Sequence, residues 1–289
     1  MTIQKLKQQL FSLFPKKIRK RIKNFYYDKL IFPIYNLKYR LYYGVWGFFD
    51  SIAIETTTYC NLRCEFCPNS KYNRGLEKNK KLMNLNLFKK IINELSEIDY
   101  RGQILLHFYG EPLTDERLSD LVKYTKRKLP KAFIQINTNG SLLTISLYEE
   151  LRKSGVNRFF VTQYTKTLLP PIKKLIEYLR KRPKKENILE YRKLGEDLGL
   201  SNRGGEIEVK NVVDYEKPIC TYPNTAVHVD YQGNVVLCCN DYHRSIIFGN
   251  LKNEKLLDIW NKPHYKNLRK ELRKGIFKLP ICKKCVGIE

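Results

Sequence analysis

The chain has 289 residues, a length that predicts one large domain, or one domain with a smaller appendage. Hydrophobic residues make up 43% of the sequence, which is enough to bury a core and excludes a disordered chain. The formal net charge is +25, which is compatible with a nucleic-acid-binding protein, a membrane-surface protein or simply a lysine-rich composition.

The sequence also bears on where the protein resides. No apolar run approaches the roughly 20 residues that a membrane-spanning helix needs. The basic N-terminus lacks a continuous apolar stretch followed by a small-residue cleavage site, so we predict a cytoplasmic protein. Because thiols stay reduced in the cytoplasm, the eight cysteines are expected to be ligands rather than disulfide partners.

Residues 1–49 stand apart from the rest of the chain. They hold eleven Lys or Arg and a single acid, Asp28, and they interleave these charges with large apolar and aromatic side chains. Apolar residues recur every four positions from Leu10 to Ile22, close to the helical period. We predict a basic extension that contacts the inner face of a membrane peripherally, or else an acidic partner.

From residue 50 to residue 213, short β-rich runs alternate with amphipathic runs. The predicted strands are 51–57, 103–109, 132–138, 157–163 and 188–194, with a sixth near 206–210. The predicted helices are 84–98, capped by Asn84 or Asn86, then 115–128, 144–154 and 168–181. This alternation indicates an α/β fold with parallel strands, in an open sheet or in a full or partial barrel. Both arrangements place functional sites at the C-terminal ends of the strands.

Residues 214–289 predict a small appended domain. Two strand-like runs, 226–231 and 234–239, flank the hairpin signal Gln232-Gly233. Helical runs follow near 254–260 and from 263 to 274, and a cysteine pair lies at 282 and 285. A unit of this size is expected to need a stabilising ligand or cross-link.

A first cysteine motif follows the first predicted strand. Cys60, Cys64 and Cys67 have the spacing C-x3-C-x2-C, which places three thiolates in one loop. A zinc site takes four ligands, whereas an iron–sulfur cube held by three cysteines keeps one iron free for another ligand. Three buried structural cysteines, or part of a zinc site, are the alternatives.

This motif resembles that of the radical S-adenosylmethionine superfamily, whose signature C-x3-C-x-aromatic-C is matched with Phe66 in the aromatic position. The resemblance implies a partial (β/α)6 TIM-like barrel and a four-iron, four-sulfur cluster on Cys60, Cys64 and Cys67. It also implies S-adenosylmethionine on the free iron and a reductant such as flavodoxin or ferredoxin. In that family, cleavage of S-adenosylmethionine yields a 5′-deoxyadenosyl radical, which abstracts hydrogen from the substrate.

Three other strand ends match this superfamily to different degrees. Gly110 and Glu111 lie in a stretch similar to the family's Gly-Gly-Glu-Pro motif, although Tyr109 replaces the first glycine. Asn139 lies in a Thr-Asn-Gly turn like the one that adjoins the cofactor. Thr162 and Gln163 lie where the family often has a Ser-x-Asp motif, and this sequence does not match that motif. The resemblance implies that these residues bind the cofactor, and ordinary turns are the alternative.

Five cysteines remain, and residue types alone leave a zinc site and a second iron–sulfur cluster equally open. The pattern Gly233-x4-Cys238, with Gly249-Asn250-Leu251 and Ile259-Trp260, resembles the SPASM auxiliary-cluster domain and its shortened twitch form. The full form needs seven cysteines for two clusters. The resemblance therefore implies a twitch domain with one four-iron, four-sulfur cluster, held by Cys220, Cys238, Cys282 and Cys285. Cys239 is then spare, with exchange of Cys238 and Cys239 as the alternative.

The cysteine spacing as a whole resembles that of aminocyclitol dehydrogenases, which oxidise a secondary alcohol to a ketone. This implies a sugar-like or aminocyclitol substrate, an auxiliary cluster that accepts an electron, and substrate contact by Arg203. Asp241 is the expected proton acceptor. Structural roles in a turn and in a hairpin are the alternatives for these two residues.

Three other functions remain open at this point. A radical enzyme could modify a peptide or a membrane-linked glycan or lipid intermediate. A zinc-stabilised nucleic-acid-binding protein is the alternative from another class, but no nucleic-acid partner is expected because the basic residues are scattered over helix faces.

Overall fold

The computed structural model describes residues 29–30, 32–44, 47–164, 167–193, 201–208 and 219–288. The segment from Leu10 to Ile22, with its near-helical recurrence of apolar residues, therefore lies outside the described residues, as do residues 209–210 of the sixth predicted strand. A helix that the sequence pattern did not predict, α1, runs over Phe32–Tyr43 before the first strand.

Eight strands form a single sheet in the order β5-β4-β3-β2-β1-β6-β7-β8. Strands β1 to β6 are all parallel to one another, whereas β7 pairs antiparallel with both β6 and β8. The strands are β1 Ser51–Ile54, β2 Gln103–Leu105, β3 Phe133–Thr138, β4 Arg158–Gln163, β5 Leu189–Lys193, β6 Ala226–Val229, β7 Asn234–Val236 and β8 Ile247–Asn250.

Helices connect the first five strands, as the alternating pattern predicts. They are α2 Leu85–Glu97, α3 Leu118–Lys128, α4 Ile145–Ser154 and α5 Pro170–Arg180. The C-terminal region adds α6 Tyr222–Thr225, α7 Leu256–Asn261, α8 Pro263–Arg273 and α9 Pro280–Val286. The α/β class with a mainly parallel sheet is thus confirmed, and the bounds of the predicted elements agree within a few residues.

The sixth parallel strand is not where the sequence analysis placed it. Residues 206–208 form no strand. The three residues Arg203–Gly205 have φ values of 50°, 72° and 94°, which turn the backbone away from an extended path, and Glu206 is held by a 2.6 Å hydrogen bond from the Tyr72 hydroxyl. The sixth parallel strand is instead β6, which pairs with β1 on the side opposite β2.

The two faces of the parallel sheet differ in polarity. Alternate residues on one face are apolar and buried in the same core as the helices, among them Ile52, Ile104, Ile134 and Phe159. The other face carries polar residues at the intervening positions. These inner-face residues are Gln103, Gln135, Asn137, Arg158, Glu190 and His228.

The start of α2 provides a test of the fold. The Asn84 carboxamide oxygen accepts hydrogen bonds from the Asn86 amide at 2.8 Å and the Leu87 amide at 3.3 Å. We expect Asn84→Ala to lower the free energy of unfolding by about 1 kcal/mol, because two amides at the helix start lose their acceptor. Denaturant unfolding measures this change. Asn86→Ala is the matched control, since Asn86 lies within the exposed first turn, and an equal loss in both variants would contradict the cap assignment.

Candidate active site

The first cysteine set lies in a loop that follows β1. The Cys60 amide donates to the Gly75 carbonyl at 3.1 Å, and the Cys67 amide donates to the Cys64 carbonyl at 2.9 Å, so the loop is folded back on itself. All three thiols are free and partly exposed. Burial raises the pKa of Cys60 to about 11 and that of Cys64 to about 12, and neighbouring thiols add to both increases.

These thiols suit a cationic cluster. A thiol with a raised pKa binds as a thiolate only where a positive charge stabilises it, and sulfur ligands favour iron–sulfur groups. Among the described residues, no three His, Cys, Asp or Glu side chains are grouped so that they could hold a single metal ion. A four-iron cube is a larger group that takes no more than one thiolate at each iron corner, so its ligands lie farther apart than those of one ion.

The end of β2 approaches this loop closely. A Cβ on Gly110 would lie 2.0 Å from the Thr57 carbonyl oxygen, so only glycine fits there. The adjoining Glu111 is buried, and burial raises its pKa to about 7. Its carboxylate accepts hydrogen bonds from the Thr138 hydroxyl at 2.5 Å and the Asn139 amide at 2.9 Å. Glu111 thereby joins the ends of β2 and β3.

Asn139 connects the end of β3 to the first cysteine loop. Its side-chain amide donates to the Asn61 Oδ1 at 3.0 Å, one residue after Cys60. Thr162 and Gln163 are buried at the end of β4. The next residue, Tyr164, places its ring 5.0 Å from the ring of Phe66. The predicted cofactor residues of β2, β3 and β4 therefore gather around the first cysteine loop.

The second cysteine set lines one cavity. Four cysteines line it, namely Cys220, Cys238, Cys282 and Cys285. Burial, together with the nearby Cys220 and Cys285 thiols, raises the pKa of Cys282 to about 12. Cys239 is not among the described residues that line this cavity, and its carbonyl accepts a 2.8 Å hydrogen bond from the Tyr109 hydroxyl.

Arg203 lies in a turn that packs on α9. Its φ of 50° is unusual for a residue with a side chain, and such strain is often found at functional sites. A Cβ on Gly204 would be 3.0 Å from Ile281 of α9, and the Asn202 side chain donates to the Lys284 carbonyl at 2.9 Å. The turn is therefore fixed against the helix that carries Cys282 and Cys285.

The Arg203 guanidinium lies within electrostatic reach of both cysteine sets. Burial lowers the pKa of this guanidinium, but nearby groups that can carry a negative charge raise it by more, so the pKa lies above the ordinary value. These groups are Tyr109, Cys239, Cys67 and Tyr164. Among the described residues, none forms a salt bridge or a side-chain hydrogen bond with this guanidinium. A half-buried cation without a counterion is suited to bind an oxygen of a ligand.

Asp241 does not fit the role of proton acceptor. Its side chain is fully buried, and one carboxylate oxygen accepts hydrogen bonds from the amide and the hydroxyl of Ser245, each at 2.8 Å. The other oxygen accepts from the Ile246 amide at 3.1 Å. These three hydrogen bonds hold the turn between β7 and β8, which is the structural alternative given for this residue.

The sequence analysis missed a chain of polar side chains on the inner face. Gln103 donates to Gln135 at 2.7 Å, Gln135 donates to Asn137 at 2.5 Å, and Asn137 lies 3.2 Å from His107 Nε2. Arg158 also donates to Gln135, at 2.6 Å. The alternation of polar and apolar residues in β3 was the available signal, since parallel strands covered on both faces are usually apolar throughout.

Two histidines adjoin this chain. Burial lowers the pKa of His107 to about 4 and that of His228 to about 3, so both are neutral at pH 7. In each of them Nδ1 is buried and has no hydrogen-bond partner among the described residues. Arg203 also acts on the charge of His107, so a neutral imidazole lies near this guanidinium.

Two segments of the chain match known families. Residues 54–165 match the Radical SAM superfamily, and residues 220–286 match SPASM, an iron-sulfur cluster-binding domain. The first segment contains Cys60, Cys64 and Cys67, and the second contains the other five cysteines.

The chain is also similar to individual proteins over most of its length. It is 32% identical over 242 residues to the S-adenosyl-L-methionine-dependent 2-deoxy-scyllo-inosamine dehydrogenase of Niallia circulans, a match that covers 83% of this chain and 94% of that protein. The crystal structure of BtrN in complex with AdoMet and 2-DOIA matches with a TM-score of 0.73 at 31% identity, over 82% of this chain and 93% of that chain. Selenomethionine BtrN in an open conformation matches with a TM-score of 0.64 at 27% identity, over 82% and 92% of the two chains.

These findings confirm the superfamily and the C-terminal iron–sulfur domain that the cysteine spacing predicted. The cofactors of a protein with these two domains are S-adenosylmethionine and four-iron, four-sulfur clusters. The chain belongs to the radical S-adenosylmethionine superfamily and is an oxidoreductase of the dehydrogenase type.

Proposed function

We propose that the protein oxidises a secondary alcohol of an aminocyclitol, or of a similar polyhydroxylated molecule, to a ketone. The observation that carries the proposal is the polar inner face of the sheet, where the linked side chains of Gln135, Asn137 and His107 offer both donors and acceptors toward the strand ends. Hydroxyl groups are matched ligands for such side chains. The likeness to an aminocyclitol dehydrogenase over 83% of the chain supports the same class of substrate.

The reaction removes one hydrogen atom from carbon, one proton from the hydroxyl oxygen and one electron. When bound, S-adenosylmethionine on a reduced first cluster would supply a carbon radical for the hydrogen atom, and the auxiliary cluster would take up the electron. A reductant such as flavodoxin or ferredoxin supplies the electron that starts each turnover.

We assign the ligands as the cysteine spacing predicts. Cys60, Cys64 and Cys67 hold the first cluster, and the four cysteines around the second cavity hold the auxiliary cluster. The cofactor-binding residues are Gly110, Glu111, Asn139, Thr162 and Gln163, which surround the first cysteine loop. The corresponding units are a core of residues 50–213 and an auxiliary domain of residues 214–289, after the extension of residues 1–49.

Arg203 and His107 both contact the substrate hydroxyl oxygen in this proposal. The guanidinium of Arg203, which has no salt-bridge partner among the described residues, holds the hydroxyl oxygen and stabilises the negative charge that develops as the proton leaves. The Asn137 side-chain amide donates to Nε2 of His107, so the neutral ring, whose pKa burial lowers to about 4, carries its hydrogen at Nδ1. His107 therefore donates a hydrogen bond from Nδ1 to the same oxygen, and the proton of the substrate hydroxyl passes to water. Asp241 has no part in this scheme, because its oxygens are occupied.

The function is tested with anaerobically reconstituted protein, S-adenosylmethionine, a low-potential reductant and 2-deoxy-scyllo-inosamine. We expect ketone and 5′-deoxyadenosine in equal amounts, with deuterium from the oxidised carbon recovered in 5′-deoxyadenosine.

Arg203→Lys is expected to lower kcat/KM at least about tenfold, since a point charge replaces a planar guanidinium with several donors. Arg101→Lys, at an exposed ion pair with Asp99, is the control. Formation of 5′-deoxyadenosine without ketone from any aminocyclitol would refute the substrate class.

Glu111 generates a prediction on pH. Its pKa is about 7 in the folded protein against 4.5 for the free group, so folding favours the neutral carboxyl. This contribution to stability is complete below pH 4.5 and is lost as the pH rises through 7. In cofactor-free protein, raising the pH should therefore lower the unfolding free energy of the wild type by up to about 3 kcal/mol more than that of Glu111→Gln, which cannot ionise. Urea unfolding of both proteins at pH 5 and pH 8 measures the difference, and a difference independent of pH would contradict the assignment.

A second observation supports peripheral membrane contact. Ile34, Leu37 and Leu41 recur at helical spacing on α1 and are 65%, 53% and 73% exposed. The opposite face of α1 is anchored, because Tyr39 is buried against Phe48. We propose that this stripe, with the basic charge of residues 1–49, rests on an anionic membrane. No described helix is long and apolar enough to cross a membrane.

The membrane contact predicts binding to vesicles. The protein should sediment with phosphatidylglycerol vesicles and not with phosphatidylcholine vesicles. The double change Ile34→Glu and Leu41→Glu should weaken binding at least about tenfold, because two apolar side chains no longer enter the lipid interface. Ile247→Glu, at another exposed isoleucine, is the matched control. Equal binding of all three proteins would overturn the proposal.

A further inference from the structure

We propose that Tyr109 is a positioning residue that ties the hairpin of the auxiliary cluster to the loop of the first cluster and so fixes how the two clusters are placed. The inference rests on the proposed assignment of the two cysteine sets to clusters. Tyr109 stands where the superfamily motif resembled by this sequence has a glycine, so the contacts of its side chain are a feature of this chain.

Tyr109 contacts chain segments next to both cysteine sets. Its hydroxyl donates to the Cys239 carbonyl at 2.8 Å, directly beside Cys238. Its own carbonyl accepts a 3.0 Å hydrogen bond from the side chain of Asn69, two residues after Cys67. One residue at the end of β2 thus connects the first cysteine loop to the hairpin that carries Cys238.

A second tyrosine completes the connection. The Tyr242 hydroxyl donates to the Asn69 Oδ1 at 3.0 Å, and its ring meets the ring of Tyr109 edge-on at 4.7 Å. Both tyrosines and Asn69 are buried. Buried hydrogen bonds that share partners hold one another in place, because none can be exchanged for water.

Arg74 fixes this group to β1. Its Nη2 lies 2.8 and 2.6 Å from the two carboxylate oxygens of Glu55, which is fully buried directly after β1. Its Nη1 donates to the Tyr242 carbonyl at 2.9 Å, and the guanidinium lies 6.0 Å from the ring centre of Tyr109. We call Glu55, Asn69, Arg74, Tyr109 and Tyr242 the inter-cluster brace.

Within the brace, the hydroxyl of Tyr109 connects the segment after β2 to the segment that carries Cys238 and Cys239. Without it, the Cys239 carbonyl loses a buried donor, and the adjoining Cys238 loses a restraint on its orientation. Hydrogen bonding and geometry around a ligating sulfur tune the properties of an iron–sulfur cluster. The auxiliary cluster should therefore report the loss of this hydroxyl without any substrate present.

The test compares Tyr109→Phe with Tyr148→Phe in the reconstituted holoenzyme. Tyr148 is also buried, and its hydroxyl donates to the Glu186 carbonyl at 2.7 Å, so it controls for the loss of a buried hydroxyl. We expect both variants to retain the iron content of the wild type. Only Tyr109→Phe should shift the electron paramagnetic resonance signal and the midpoint potential of the auxiliary cluster. It should also raise the ratio of 5′-deoxyadenosine to ketone about fivefold, the size of one lost buried hydrogen bond.

Two results would overturn the inference. One is a wild-type auxiliary signal in Tyr109→Phe, and the other is an equal shift in Tyr148→Phe. Tyr242→Phe provides a second variant, which should shift the same signal through Asn69 if Tyr109→Phe does not fold. If the wild type holds both clusters but oxidises no aminocyclitol, the proposed substrate fails while the resonance comparison still decides the role of Tyr109.

Discussion

The pairing of β1 with strands on both of its sides is the constraint on which the rest of the structure depends. Ser51 to Ala53 pair with β2 of the core, and Ser51 to Ile54 pair with β6 of the C-terminal region. One strand thereby joins segments about 120 residues apart from each other along the chain into one sheet. The cysteine loop that follows β1 and the hairpin that follows β6 are consequently built on a common, rigid base.

The second organising feature is the difference between the faces of that sheet. The apolar face supplies the core with the helices, whereas the inner face keeps linked polar side chains and two neutral histidines. Burial of polar groups is costly unless they are paired, so the amides are paired with one another. Atoms that have no partner within the described part of the chain, such as Nδ1 of His107, are then the ones available to a ligand.

Much of this could be predicted from the sequence because it depends on local pattern. The strand–helix alternation predicted β1 to β5, and cysteine spacing predicted the superfamily and the iron–sulfur domain. The position of β6 beside β1 could not be read this way, since periodicity shows that a strand exists and not which strand it pairs with. The hydrogen bonds of Asp241 could not be predicted for a related reason: a carboxylate in a turn looks the same in sequence whether it faces a ligand or caps its own backbone.

The chain of amides on the inner face has a consequence for selectivity. Amide groups are uncharged, so the Gln135 and Asn137 side chains of the proposed site distinguish ligands by the pattern of their hydrogen bonds, and Arg203 is the part of that site that responds to charge. A carboxamide has two donors and two acceptor lone pairs, so it can bind a ligand hydroxyl while it stays paired with its neighbour. A molecule that lacks that hydroxyl leaves this second hydrogen-bonding position unfilled, and sites of this kind discriminate against such analogues by about 10⁴. An added methyl group is resisted far less. Deoxygenated analogues of the proposed substrate would then be excluded much more strictly than bulkier ones.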